Sequence, residues 1–261
     1  MIGIIKRILT KVLSQQGYLK AMHRGFYFLF DLGLLKRDQR FKFHYKVASL
    51  IKKDFTIIDL GANLGYFAKN FARLAPQGRV ICIEPILPFY TILQKFLGPY
   101  THVELHNIAL GEENGKVEMV LPESNGVIRT GLPHIIQENE NVSTQKTIEV
   151  ELKKGSELFS SLDRIDYIKC DIEGYELIVF NEIRAIIAKH RPMIQIEIAE
   201  ANIMSFIEYF DKLDYLQYGI CNFKIIQEKG LQKEIGDFLF VPKEQKIVFE
   251  EIHLKPKICA I

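Results

Sequence analysis

From Phe55 onward the chain alternates short apolar runs with amphipathic segments, and that alternation admits few folds. Thr56–Leu60, Arg79–Glu84, His102–Ile108, Ile165–Asp171 and Met193–Ile198 read as strands. Tyr66–Leu74, Pro88–Leu97, Tyr175–Lys189 and Ile203–Leu213 read as helices between and after them. Buried strands separated by helices predict an α/β fold with a doubly wound, mostly parallel sheet. Leu216–Cys221 and Phe238–Pro242 would close it with an antiparallel edge strand. Two further strands, Lys116–Leu121 and Thr147–Leu152, bracket Pro122–Lys146, which is rich in Glu, Asn, Gly and Ser. A loop of that length inside a compact domain is usually functional or disordered.

The 261 residues are 48% hydrophobic and 25% charged, which suits one α/β domain with additions. No apolar run reaches the roughly 18 residues of a spanning helix. Lys6, Arg7 and Lys11 interrupt the first apolar stretch and argue against a secretory leader. Cys82, Cys170, Cys221 and Cys259 match no metal spacing and read as reduced thiols of a cytoplasmic protein. Charge divides the chain. Residues 1–53 hold 12 Lys and Arg against Asp31 and Asp38, while the remainder is net acidic. We therefore separate a basic helical N-terminal extension, 1–53, from a body, 54–261. Ile5, Ile8, Leu9, Val12 and Leu13 recur at helical spacing among the basic residues. Such a segment can cap the body, pair two copies as a homodimer, or rest through residues 1–20 on an anionic inner membrane surface.

Gly61 and Gly65 follow the first strand, where open α/β sheets bind ligands. A dinucleotide site would need glycine at 63 and 66, and the chain has Asn63 and Tyr66. Asp59 at the strand end repels phosphate and suits a cationic ligand. Glu84 stands 23 residues after Gly61, where an acid pairs with a ribose diol. Asn107, Ile108, Ala109 and Leu110 end the third strand, where Ile108 and Leu110 would sandwich an adenine ring. Asp171 and Glu173 are two apart, so in an extended chain they face one way, into the same pocket. Glu197 closes the next strand and would join them. A buried acid cluster is costly unless it binds a cation or moves protons.

Together, Ile58–Gly65, Glu84-Pro85, Asn107–Gly111, Ile168–Glu176 and Phe238–Pro242 resemble the FkbM family of S-adenosylmethionine-dependent methyltransferases. The resemblance spans about Phe55 to Pro242 and leaves out the first 50 or so residues. It implies a Rossmann-like class I methyltransferase fold, with 54–261 as the S-adenosylmethionine-binding domain. It also implies methylation of a hydroxyl oxygen on a small molecule, a sugar or glycan or a secondary metabolite. By motif match Asp59, Gly61, Ala62, Asn63 and Gly65 would hold the methionine part, and Glu84 with Pro85 the ribose. Asn107 and Ala109 would lie beside the adenine, and Asp171 would reach the cofactor amine. Glu173 is the candidate general base with Asp171 beside it, and His134 on the long loop is second. No metal site is expected. One departure is Lys153-Lys154, where the family often has Leu-Asp. The alternatives are a methyltransferase acting on an amine or on nucleic acid, and a degenerate nucleoside-binding module without catalysis. The basic extension would favour nucleic acid, but its aromatics form no stacking motif and the body is acidic.

Overall fold

The computed structural model describes residues 12–124, 127–136, 145–198, 202–221, 224–227 and 237–254. Its strands are β1 (Thr56–Leu60), β2 (Arg79–Ile83), β3 (Val103–His106), β4 (Ala109–Leu110), β5 (Gly115–Val120), β6 (Glu123–Ser124), β7 (Val127–Ile128), β8 (His134–Ile135), β9 (Thr147–Lys153), β10 (Tyr167–Cys170), β11 (Met193–Glu197), β12 (Tyr215–Cys221), β13 (Lys224–Gln227) and β14 (Asp237–Pro242). Its α-helices are α1 (Gln15–Asp31), α2 (Lys42–Lys46), α3 (Ala68–Leu74), α4 (Leu87–Leu97), α5 (Gly155–Leu158), α6 (Glu176–Glu182), α7 (Arg184–His190), α8 (Ile203–Asp211) and α9 (Lys246–His253).

The main sheet runs β13-β12-β14-β11-β10-β1-β2-β3. β10, β1, β2, β3 and β11 are parallel. The chain steps outward from β1 to β3, then returns to pair β10 on the other side of β1. That reversal makes the switch point, and ligands bind there beyond the strand ends. β1 is buried on both faces because helices cover both. Ile58, Leu60, Ile168 and Ile194 enter one core with Phe180, Phe206 and Phe210. Ile57, Tyr167 and Met193 enter the other with Phe71, Val80 and Leu239. The two-residue period of a strand separates them.

The doubly wound, mostly parallel sheet matches the expectation, and β13 supplies an antiparallel edge. β14 departs from it: the last strand inserts antiparallel between β11 and β12, inside the sheet. The strand expected over His102–Ile108 stops at His106. Beyond it Ala109 and Leu110 leave the main sheet and pair with β9. β4, β9, β5 and β8 form a second, four-stranded sheet. Part of the expected loop 122–146 is thereby ordered: β6 pairs β7, and β8 returns onto β5 with Met119 opposite Ile135. Residues 125–126 and 137–144 of that loop lie outside the described residues.

The helix expected over Tyr175–Lys189 breaks at Ile183, whose side chain is fully buried between α6 and α7. At Lys153-Lys154 no side chain of the chain's own N-cap closes α5. Asn114 Oδ1 accepts from Lys154 N at 3.0 Å and Glu182 Oε2 from Ser156 N at 3.0 Å, so distant residues satisfy those donors. Before the main sheet, α1 begins at Ser14, whose hydroxyl accepts from Gly17 N, and buries Leu19, His23, Phe26 and Tyr27. Of the apolar periodicity Ile5, Ile8, Leu9, Val12 and Leu13, the first three lie outside the described residues, as do residues 1–11 of the segment 1–20 read as a membrane contact. No helix among the described residues is long and apolar enough to cross a membrane. Cys82 and Cys170 are buried and free, whereas the Cys221 side chain and Cys259 lie outside the description.

Candidate active site

The turn after β1 is built against its neighbours. Gly61 has φ +74, and a Cβ there would sit 1.9 Å from the backbone oxygen of Asp171. The close approach that demands glycine is thus between two loops of the chain itself. Gly65, at φ +81, faces away: its missing Cβ would meet Leu93 and Leu97 of α4 at 2.9 and 3.1 Å. Gly61 N and Ala62 N both donate to Ile83 O at 3.0 Å, tying the turn to the end of β2. Asn63 takes the left-handed φ of +51 that asparagine tolerates better than most residues.

Glu84 lies just beyond β2 and is 4% exposed. Its Oε2 accepts from Asn63 N at 2.7 Å and its Oε1 from Ile86 N at 2.8 Å. Burial lifts its carboxyl to about 7, against the pull of those two N–H groups. Asn107 does not reach the cleft. Its Nδ2 donates to Glu84 O and Pro85 O, both at 2.9 Å, bracing the Glu84-Pro85 segment from behind.

On the other side of the switch point, β10 ends at Cys170, and residues 171–175 turn sharply. Glu173 has φ +55 and Gly174 φ +97. Asp171 and Glu173 are therefore brought to one cleft by a turn, not by the pleat of an extended strand as their spacing suggested. Glu176, 3% exposed, pins that turn: its Oε1 accepts from Gly174 N at 2.9 Å and Ile172 N at 3.2 Å. Burial, then Asp171, Glu197 and Glu176, raise the Glu173 carboxyl to about 7. Glu197 ends β11 opposite Asp237 and acts on Glu173 from outside the cleft lining.

Asp59 is completely buried beneath the turn and does not line the cleft. Neither of its oxygens has a hydrogen-bond partner within range among the described residues. Burial lifts its carboxyl to about 6, while Lys169 pulls it down. The cation that faces Asp59 belongs to the chain: Lys169 Nζ lies 3.8 Å from Asp59 Oδ1 and 3.2 Å from Asp171 Oδ2, and donates to Gly61 O at 3.4 Å. Burial alone would lower the Lys169 ammonium, but Asp171, Asp59 and Asp237 outweigh it and hold it above its usual value. Lys169 lies within the Ile168–Glu176 motif, whose spacing gives it no role. A lysine inside an apolar strand was the available signal, because lysine is rarely buried without a partner.

These elements enclose a cleft of about 660 Å³, counting space open to solvent. Gly61, Asn63, Glu84, Pro85, Ala109, Leu110, Asp171 and Glu173 all line it, whereas Asp59, Ala62, Gly65, Asn107 and Ile108 stand behind. Among the described residues its charged lining is three carboxylates, with no Lys or Arg. The opposite wall, which the sequence did not reveal, comes from the second sheet and its insertion: Met119, Gly131, Pro133 and Ile135. A Cβ on Gly131 would lie 3.7 Å from Glu173 Oε1, so the insertion roofs the candidate base. His134 lies on β8 outside the lining, with its Nδ1 2.9 Å from Leu132 O. No group of three His, Cys, Asp or Glu among the described residues is arranged to hold a metal.

Comparison with known proteins matches residues 59–225 to the methyltransferase FkbM domain. The 2-O-methyltransferase NoeI of Sinorhizobium fredii is 28% identical over 159 residues, covering 56% of this chain and 65% of that protein. Methyltransferase sdnD of Sordaria araneosa is 26% identical over 160 residues, covering 51% of this chain and 61% of that protein. The chain thus spans slightly less than two thirds of these relatives' length. A crystal structure of methyltransferase FkbM from Methylobacillus flagellatus superposes with a TM-score of 0.50 at 18% identity, over 73% of this chain and 44% of that one. At that identity the likeness is one of fold.

Proposed function

Because the chain belongs to the FkbM methyltransferase family, we propose that it moves the methyl group of S-adenosylmethionine to a hydroxyl oxygen of a small-molecule or glycan acceptor. The observation that carries this reading is the cleft at the switch point, whose charged lining among the described residues is Glu84, Asp171 and Glu173. Such a lining repels phosphate and favours a cationic ligand. Each Glu84 oxygen accepts one backbone N–H and keeps a lone pair, so the carboxylate remains able to accept from a ribose diol. Leu110, Ile86 and Phe89 offer apolar surface beside it for a flat base. The residues present therefore suit the cofactor, which when bound supplies an electrophilic methyl on a sulfonium.

Glu84 and Asn63 would hold the nucleoside end, and Asp171 the amine end. Asp171 reaches that position already paired to Lys169, so Lys169 sets its orientation. Glu173 would accept the acceptor's hydroxyl proton. Its carboxyl, lifted to about 7, is matched to a base that must take a proton and release it again near neutrality. Met119, Gly131, Pro133 and Ile135 would exclude water and position the acceptor against Glu173. The similarity to the 2-O-methyltransferase of Sinorhizobium fredii supports a hydroxyl acceptor over an amine or nucleic acid.

Two measurements test this. Calorimetry with S-adenosylmethionine should show saturable binding, lost in Glu84→Ala; no heat from the intact protein would sink the cofactor reading. Labelled methyl should pass from the cofactor into a hydroxyl-bearing metabolite or glycan fraction, and Glu173→Gln should abolish that transfer. Label appearing in amines or nucleic acid instead would overturn the acceptor assignment.

A further inference from the structure

The glycine turn is held from both sides, and the second side lies outside the matched domain. Toward the cleft, Glu84 takes Asn63 N. Away from it, three successive carbonyls face α1. His23 Nδ1 donates to Leu64 O at 2.7 Å, and Tyr27 Oη contacts Gly65 O at 3.2 Å and Tyr66 O at 2.9 Å. Both side chains are buried. A carbonyl only accepts, so the His23 proton sits on Nδ1. Nε2 has no partner among the described residues, so holding Leu64 is the ring's one polar contact there. The ring itself is clamped, stacked on Phe96 with centroids 4.0 Å apart and planes 8° from parallel. Lys69 Nζ lies 4.3 Å from the Tyr27 ring centroid and Arg73 4.9 Å, fixing the second donor in turn.

We propose that His23 and Tyr27 are positioning residues for the cofactor, holding the carbonyls of Leu64, Gly65 and Tyr66 so that the opposite side of the turn keeps its binding shape. The inference rests on the reading that this cleft takes S-adenosylmethionine. The turn has left-handed residues at 61, 63 and 65, a conformation a free loop would leave readily. Carbonyls anchored on α1 fix the second half of the turn, whose first half carries Gly61 and Asn63 into the cleft lining.

The test compares Tyr27→Phe, which removes only the hydroxyl, His23→Leu, which removes the donor, and His23→Asn, whose Nδ2 can replace Nδ1. Amide hydrogen exchange is followed without cofactor, and cofactor affinity by calorimetry. In Tyr27→Phe and His23→Leu, exchange should accelerate at 62–67 while the central strands keep their protection. Affinity should fall by roughly fivefold per lost bond, and His23→Asn should recover most of it. Unchanged affinity in both folded variants, or acceleration spread evenly over the sheet, would overturn the proposal. If the intact protein binds no cofactor, the cofactor reading fails and the cofactor role fails with it. Exchange at 62–67 then still decides separately whether α1 holds the turn.

Discussion

Lys169 joins the two halves of the site, because one ammonium touches the turn after β1 through Gly61 O and the turn after β10 through Asp171. Replacing it with methionine leaves Asp59 buried without the counter-charge that faces it. Breaking a buried pair in this way costs about 3–5 kcal/mol, so Lys169→Met should lower the urea midpoint by a corresponding margin; a loss below about 1 kcal/mol would show the pair to be idle. Glu84 offers a pH test. Its carboxyl titrates near 7 when folded and near 4.5 when unfolded, so between those values the folded chain binds the extra proton. Wild-type stability relative to Glu84→Gln should therefore fall as pH rises from about 4.5 to about 7 and level off above, read from unfolding midpoints across that range. Gly61, Asn63, Glu84, Asp171 and Glu173, which line the cleft, were all legible in the sequence as candidates, because turn chemistry and acid spacing are local signals. The partner of Asp59 was not. A strand-end carboxylate asks for a cation, and only tertiary structure shows that Lys169, 110 residues later, supplies it.

At the level of elements, the insertion between β5 and β9 forms the wall of the cleft on which the proposed acceptor would rest. Gly131 has φ +80 and sits over Glu173. Gly131→Ala adds a Cβ there and about 1 kcal/mol of backbone strain. It should raise the acceptor KM severalfold while cofactor affinity stays unchanged, which steady-state kinetics paired with calorimetry would separate. For the turn after β10, kcat/KM should rise about tenfold per pH unit below about 7 and plateau above, as expected of a base whose carboxyl lies near 7. A flat profile through that range would remove Glu173 from the role. Periodicity located most strands and helices but not where they leave their layer. His102–Ile108 reads as one strand, yet Asn107 spends its side chain on Glu84 O and Pro85 O, and the chain crosses to the second sheet. α6 and α7 read as one helix, because an apolar face continues through the break at Ile183.

For the whole molecule, the order of strands matters more than their number. β14 joins β11 to β12 and fills a gap in the middle of the sheet. Removing residues 237–254 should therefore abolish cooperative unfolding instead of trimming an edge, and circular dichroism melting would show it. The same placement governs the nascent chain. β11 is complete at Glu197 and can pair β10, but its other edge is covered only when Asp237–Pro242 emerges. At about 5–20 residues per second, that strand waits several seconds with one edge open, and β12 waits beside it. Unpaired strand edges are templates for association with other chains. The protein should thus be most prone to aggregate during synthesis, before its last strand arrives, and least so once that strand has closed the sheet.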